Sequence, residues 1–190
     1  MTLKRKQKGV TLVEVMVVIA VIGIGTSIML ASMGNAKEQK RVETAAREVA
    51  AMFREAQSNA LSGKQVSLGG VFYSTCAYRI SVLTPQPYML SVTGQRCDNQ
   101  NWVLSSSKNF SASRVKLSTI IDAPSVLQVI FSVPHGNVTA TASPSSVISG
   151  NTTGILVKSE NDPSVMYSVC INTLSGKIAE IAGKADCSGV

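Results

Sequence analysis

The chain divides by the spacing of its apolar residues. From Val10 to Ala31 nearly every position is apolar or small, and the one charge is Glu14. A run without a polar face predicts a helix that must be covered on every side. At 1.5 Å per residue it would extend about 33 Å, enough to cross the hydrocarbon core of a bilayer. Between residues 36 and 62 the pattern changes. Val42, Ala45, Ala46, Val49, Met52, Phe53, Ala56 and Ala60 recur every three to four positions, which predicts a helix with one buried face. Glu38, Arg41, Glu43, Glu48, Arg54 and Glu55 mark the other face, and Glu43 lies one turn before Arg47 in the favoured order for an ion pair. No proline interrupts residues 10 to 62, so one helix of about 80 Å is expected. Gly63 reads as its stop, and Gly23, Gly25, Thr26 and Ser27 as its weakest stretch.

After Gly63 the period shortens. Runs rich in Val, Ile, Tyr and Ser alternate with Gly, Pro and Asn breaks, which predicts strands at 65–68, 76–83, 88–93, 114–120, 126–133, 154–159, 165–172 and 177–181. Glu160-Asn161-Asp162-Pro163 and Thr173-Leu174-Ser175-Gly176 read as turns, making the last three strands an antiparallel meander. The Ser/Thr/Ala-rich stretch 139–153 reads as a loop. The fold class expected is α+β: a long N-terminal helix, half transmembrane and half amphipathic, packed on an antiparallel sheet head.

Charge and cysteine placement refine this picture. The chain has 190 residues and a formal net charge of +7, of which +4 belongs to Lys4, Arg5, Lys6 and Lys8. The basic balance therefore reports mainly a flank that stays cytoplasmic, and only secondarily a nucleic-acid partner. A secretory signal peptide would need a small-residue cleavage site after a shorter apolar core. Ser27 to Asn35 reads SIMLASMGN and supplies none. Cys76, Cys97, Cys170 and Cys187 all follow the apolar run, as expected of disulfides on an exported side. Three connectivities are open, and short loops favour Cys76–Cys97 and Cys170–Cys187. A loop of about 20 residues contributes about 3 kcal/mol in the chain-entropy model. With no C-x-x-C and His135 the single histidine, a zinc site is not expected, nor any cofactor.

Glu14 carries the most chemistry. A bare carboxylate in hydrocarbon costs about 3 kcal/mol or more. A free α-amine on a neighbouring chain about 4 Å away would return about 4 kcal/mol at an effective dielectric of 20. The alternative is an acid near the interface with no partner.

The run Gly9-Val10-Thr11-Leu12-Val13-Glu14 followed by an apolar helix resembles the signal of type IV prepilins and pseudopilins. The resemblance covers about residues 1 to 35, with Val10 where the family usually has Phe. It implies a peptidase that cuts between Gly9 and Val10 and methylates the new amine, and a Glu14 that sets subunit register during assembly. Its implied domains are a leader at 1–9, a transmembrane and assembly helix at 10–35, and a periplasmic or extracellular head at 36–190. The implied localisation is the bacterial inner membrane, single-pass, with assembly into a pilus or pseudopilus. Implied partners are other pilin subunits, the prepilin peptidase and the inner membrane. Phe53 to Ala60, Val129-Ile130-Phe131, and the stretch from Val169 to Ile178 further resemble the H-type minor pseudopilins and their DNA-uptake relatives. Where some relatives have Gly-Arg-x-Arg for DNA, this chain has Gly176-Lys177-Ile178-Ala179 and keeps one of the two basic positions.

DNA is thus a second candidate partner, with Lys177, Lys184, Arg114 and Lys116 as its candidate residues. The basic side chains of the head, Lys64, Arg79, Arg96, Lys108, Arg114, Lys116, Lys158, Lys177 and Lys184, are scattered in the sequence, which reads more as solvated strand and loop charge than as a groove for phosphates. Tyr73, Tyr78, Tyr88 and Trp102 could stack on bases, but such aromatics more often read as core or rim. Enzyme chemistry finds no constellation: His135 sits in a turn with only Ser132 near it, and the two Gly-Lys pairs lack the upstream glycine of a phosphate loop. A membrane-anchored binding protein unrelated to filaments is the remaining alternative.

Overall fold

The computed structural model describes residues 11–83, 88–120, 126–143, 146–147, 151–188 and 190. The chain falls into two units, Met1–Lys37 and Glu38–Val190. Helix α1 runs from Leu12 to Leu61. Its last turn closes as Gly63, at φ +60°, donates to the Ala60 carbonyl and Lys64 to the Asn59 carbonyl, a left-handed stop that glycine adopts without penalty.

The head is α+β. Strands β1 (Val66–Leu68) and β2 (Val71–Tyr73) form a small hairpin. A six-stranded sheet takes β3 (Thr75–Leu83), β4 (Met89–Arg96), β5 (Trp102–Asn109), β7 (Val126–Ser132), β8 (Val138–Ser143) and β9 (Ser146–Val147), in the order β5-β4-β3-β7-β8-β9. A four-stranded sheet takes β6 (Val115–Thr119), β10 (Thr152–Ser159), β11 (Met166–Asn172) and β12 (Ile178–Ala182), in the order β12-β11-β10-β6. Every pairing is antiparallel, and β10 to β12 form a meander.

Alternation sets which faces meet. Tyr78, Ile80 and Val82 on β3, Leu90 and Val92 on β4, and Leu127, Val129 and Phe131 on β7 point inward. From the second sheet come Val115, Leu117, Ile155, Val157, Val169 and Ile171. The apolar stripe of α1, from Val42 to Ala60, joins both sets in one core. Burying each such side chain contributes about 1.5–3 kcal/mol. Small residues make room where chains approach. A Cβ on Gly94 would lie 2.4 Å from Val66, and one on Gly154 would lie 2.4 Å from the Val169 carbonyl and 3.0 Å from the Cys187 sulfur. Buried Tyr78 donates to the Lys64 carbonyl at 2.7 Å, and burial pushes its hydroxyl pKa up.

Four strand regions differ from the sequence expectation: β2, β5, β8 and β9. The 139–153 loop is replaced in its described part by the end of β8, by β9 and by the start of β10. Thr139, Thr141 and Ser143 are held by pairing with β7, Ser146 by β8, and Thr152 and Thr153 by β11, which local propensity does not report.

Three hairpins close alike. Arg96 donates to the Asn101 carbonyl, Ser132 to Asn137 and Asn172 to Lys177. Gln100, Gly136 and Gly176 return a bond to the first residue of each turn. The returning residue is left-handed each time, at φ 58°, 66° and 68°. Gln100 holds that conformation without being glycine. Its neighbours Asn99 and Asn101 donate to the side chains of Asp98 and Asn99.

Polar side chains on the flanks of α1 reach both sheets. Glu48 pairs with Lys108 at 3.3 Å and Glu55 accepts from Ser106 at 3.2 Å, both partners on β5. Across the helix, Arg54 pairs with Glu180 at 2.9 Å and Gln57 donates to the Gly176 carbonyl at 3.0 Å. Glu38 accepts from Ser159 and Asn161, each at 3.0 Å, and from Arg41 at 2.8 Å. Exposed pairs of this kind are worth about 0–1 kcal/mol each, so they orient the helix and the core holds it.

The disulfides are Cys76–Cys97 and Cys170–Cys187. The first ties β3 to the β4–β5 turn through two exposed cysteines. The second is buried and pins residues 183–188 over β11, where Ser168 donates to the Lys184 carbonyl.

Two outcomes follow. Under native conditions a mild thiol reductant should open Cys76–Cys97 well before Cys170–Cys187, because thiolate attack needs access; alkylation and peptide mass spectrometry would read the order. Glu38 is held below its ordinary carboxylate range by the Asn161 and Ser159 hydrogen bonds and then by Arg41 and Arg114. Its stabilisation is complete above the unfolded value of 4.5 and is lost as pH falls through the lower folded value. Thermal melts should therefore show a shallower acid-side loss in Glu38→Gln than in the parent chain.

Candidate functional site

Of the residues singled out for processing, Gly9 and Val10 lie outside the described residues, and the site begins at Thr11. Thr11 is the N-cap of α1. Its hydroxyl accepts from the Glu14 amide at 3.3 Å, and Glu14 Oε2 accepts from the Thr11 amide at 3.4 Å. This is a reciprocal capping box. Thr-x-x-Glu thus satisfies two amides that a helix start leaves open, and it gives Glu14 a local partner within its own chain. The sequence reading gave Glu14 a role and missed Thr11, although that spacing is itself the signal.

Beyond the cap, every described side chain from Leu12 to Ser27 is exposed; Leu12 is 76% and Ile24 66% accessible. Nothing lies within 4 Å of a Cβ placed at Gly23 or Gly25. Thr26 and Ser27 turn their hydroxyls back onto the Ile22 and Gly23 carbonyls at 2.8–3.0 Å, so they present no unsatisfied donor to an apolar surrounding. Among the described residues, no helix is long and apolar enough to cross a membrane.

The four DNA candidates separate. Lys177 follows the left-handed Gly176 in the β11–β12 turn. Arg114, left-handed at φ 52°, ends the 3-10 turn just before β6, and Lys116 lies at the start of that strand, at the opposite end of the four-stranded sheet. Lys116 stands directly across from Lys158 in the β6–β10 register, a neighbour the sequence did not suggest. The Lys184 carbonyl meets Ser168 on β11, and the Lys184 charge lies within reach of Asp186. Two other cations are spent on aromatic faces: Arg79 lies 4.0 Å from the Trp102 ring centre and Arg96 3.4 Å from that of Tyr73.

Where the β7–β8 and β11–β12 turns meet the end of α1, an open cavity of about 500 Å³ is lined by Gln57, Leu61, His135, Asn137, Leu174 and Ser175, among others. It holds no carboxylate and no thiol. Among the described residues no group of three His, Cys, Asp or Glu side chains could hold a metal.

Residues 4–30 match the prokaryotic N-terminal methylation motif. The match spans the basic residues from Lys4 to Lys8, the Gly9–Glu14 run and α1 as far as Leu30, and it supports a type IV prepilin-like protein. No curated protein and no solved structure matches the chain.

Replacing Thr11 by Ala should remove half the capping box at a cost of about 1 kcal/mol to the helix start. Amide hydrogen exchange in detergent micelles should then quicken at Leu12 to Val15, and Thr11→Ser should restore it.

Proposed function

We propose that this chain is a non-catalytic structural subunit, a minor pilin or pseudopilin, of a type IV pilus or type II secretion filament. The methylation motif at residues 4–30 carries this reading. The all-round apolar half of α1 supports it: from Val15 to Ala36 the sequence is uncharged, and at 1.5 Å per residue that span is about 33 Å long. In this reading a prepilin peptidase removes the leader after Gly9 and methylates Val10. The apolar half rests in the inner membrane until extraction, then bundles with the same half of other subunits. The head faces the periplasm or the exterior.

The capping box refines the part played by Glu14. Before assembly its carboxylate closes the helix start through the Thr11 amide. During assembly it exchanges that weak bond for the charged amine of a neighbouring Val10. The exchange gains because an ion pair sheltered from water is worth several times an exposed amide bond. Glu14 thus sets register without ever being bare.

Co-expression with a prepilin peptidase tests the reading. The mature chain should begin at methylated Val10 by mass spectrometry. Glu14→Ala should be cleaved as well as the parent yet fall out of sheared filament fractions. A native chain that keeps Met1 would overturn the proposal.

A further inference from the structure

Lys116 and Lys158 are an anomaly in a sheet otherwise patterned for stability. They are directly opposed across β6 and β10, a placement in which like charges repel. Among the described residues neither takes part in an ion pair. Two adjacent strands thus set like charges side by side.

Their position gives the reason. Lys158 precedes Ser159, and Ser159 donates to Glu38, the first residue of the head unit. Arg114 completes the group: its carbonyl accepts from the Glu160 amide at 3.1 Å, and its charge helps to hold Glu38 ionised. Lys40 stands exposed on the same first turn of the head's helix. Arg114, Lys116 and Lys158 therefore mark the end of the head that the chain reaches directly after its uncharged stretch. The acids nearby offset them only in part: Glu38, Glu160 and Asp162 stand against Lys40, Arg41, Arg114, Lys116 and Lys158, so this end of the head stays positive.

We propose that Arg114, Lys116 and Lys158 form a docking face for anionic phospholipid headgroups, holding the head against the membrane surface before the subunit is extracted. The inference rests on the membrane-anchored reading above. If the stretch before Lys37 lies in hydrocarbon, Glu38 begins at the headgroup layer, and so do the strand ends bonded to it. Lipids suit the site better than nucleic acid. Single headgroups diffuse to a small cluster one at a time, whereas a nucleic acid needs a track of cations matched to successive phosphates. No such track extends from here, since Lys177 and Lys64 lie at the far end of the head. Each cation close to an anionic surface favours association roughly fivefold.

The test uses the full chain reconstituted into two kinds of vesicle, phosphatidylcholine alone and phosphatidylcholine with phosphatidylglycerol. Resistance to alkaline carbonate reports insertion. Acylation rates of individual lysines, read by peptide mass spectrometry, report docking. The expected result is insertion into both vesicles. Lys116 and Lys158 should be protected about fivefold, relative to Lys64 and Lys177, only with phosphatidylglycerol. That protection should vanish near 1 M salt, where screening shortens to about 3 Å. Insertion with equal labelling in both vesicles would overturn the docking face and leave the anchoring intact. Removal by carbonate would defeat the anchoring reading and the docking face with it. Protection by a DNA duplex added to phosphatidylcholine vesicles, with none from phosphatidylglycerol, would reassign the face to nucleic acid.

Discussion

A helix whose side chains are apolar on every face has to be surrounded, and a helix apolar on one face has only to be laid down. α1 contains both demands in one helix. Its apolar half offers Leu12 to Ile24 to whatever surrounds it, while the half beyond Glu38 spends Val42 to Ala60 on the head's own core. Because backbone bonds are satisfied within the helix, the first half leaves only its side chains to be covered, and in the proposed function lipid and like helices would cover them in turn. One element thus carries two separate requirements for cover, one met within the head and one left open.

The head answers with two sheets rather than one. The α1 stripe is wide enough to meet inner faces from both, and large rings, Phe53, Phe110, Phe131 and Tyr78, fill the space between them. The polar flanks of the stripe then reach an edge of each sheet, Glu48 and Glu55 toward β5, Arg54 and Gln57 toward β12 and its turn. Individually weak, these contacts oppose rotation of the helix about its own axis, which burial alone resists poorly because a methyl-rich stripe of alanines is smooth.

How much of this the sequence disclosed depended on how local the cause was. The helix was legible because periodicity and the absence of proline act within a few residues of each position. Strands with two or three large inward residues, such as β3 and β7, were legible for the same reason. β5, with its Ser105-Ser106-Ser107 run, and β8, Val138–Ser143, were not: what makes them strands is the partner strand beside them. The candidate site divides in the same way. Glu14 stood out as a lone charge, and Thr11 needed only the rule for helix starts. The pairing of Lys116 with Lys158 is fixed by the β6–β10 register, and no reading of either stretch by itself contains it.

The common closure of the three hairpins bears on how such a head can diversify. Each turn is sealed by the same two main-chain bonds and one left-handed residue. One tip carries a cis Val133–Pro134 peptide, another a disulfide-bonded Cys97, and the third an exposed Leu174. Strand register is thus set at the base of each turn by main-chain bonds, so a solvent-facing crest side chain such as Leu174 can be exchanged with the register kept, and the outer rim is free to acquire different neighbours over one scaffold.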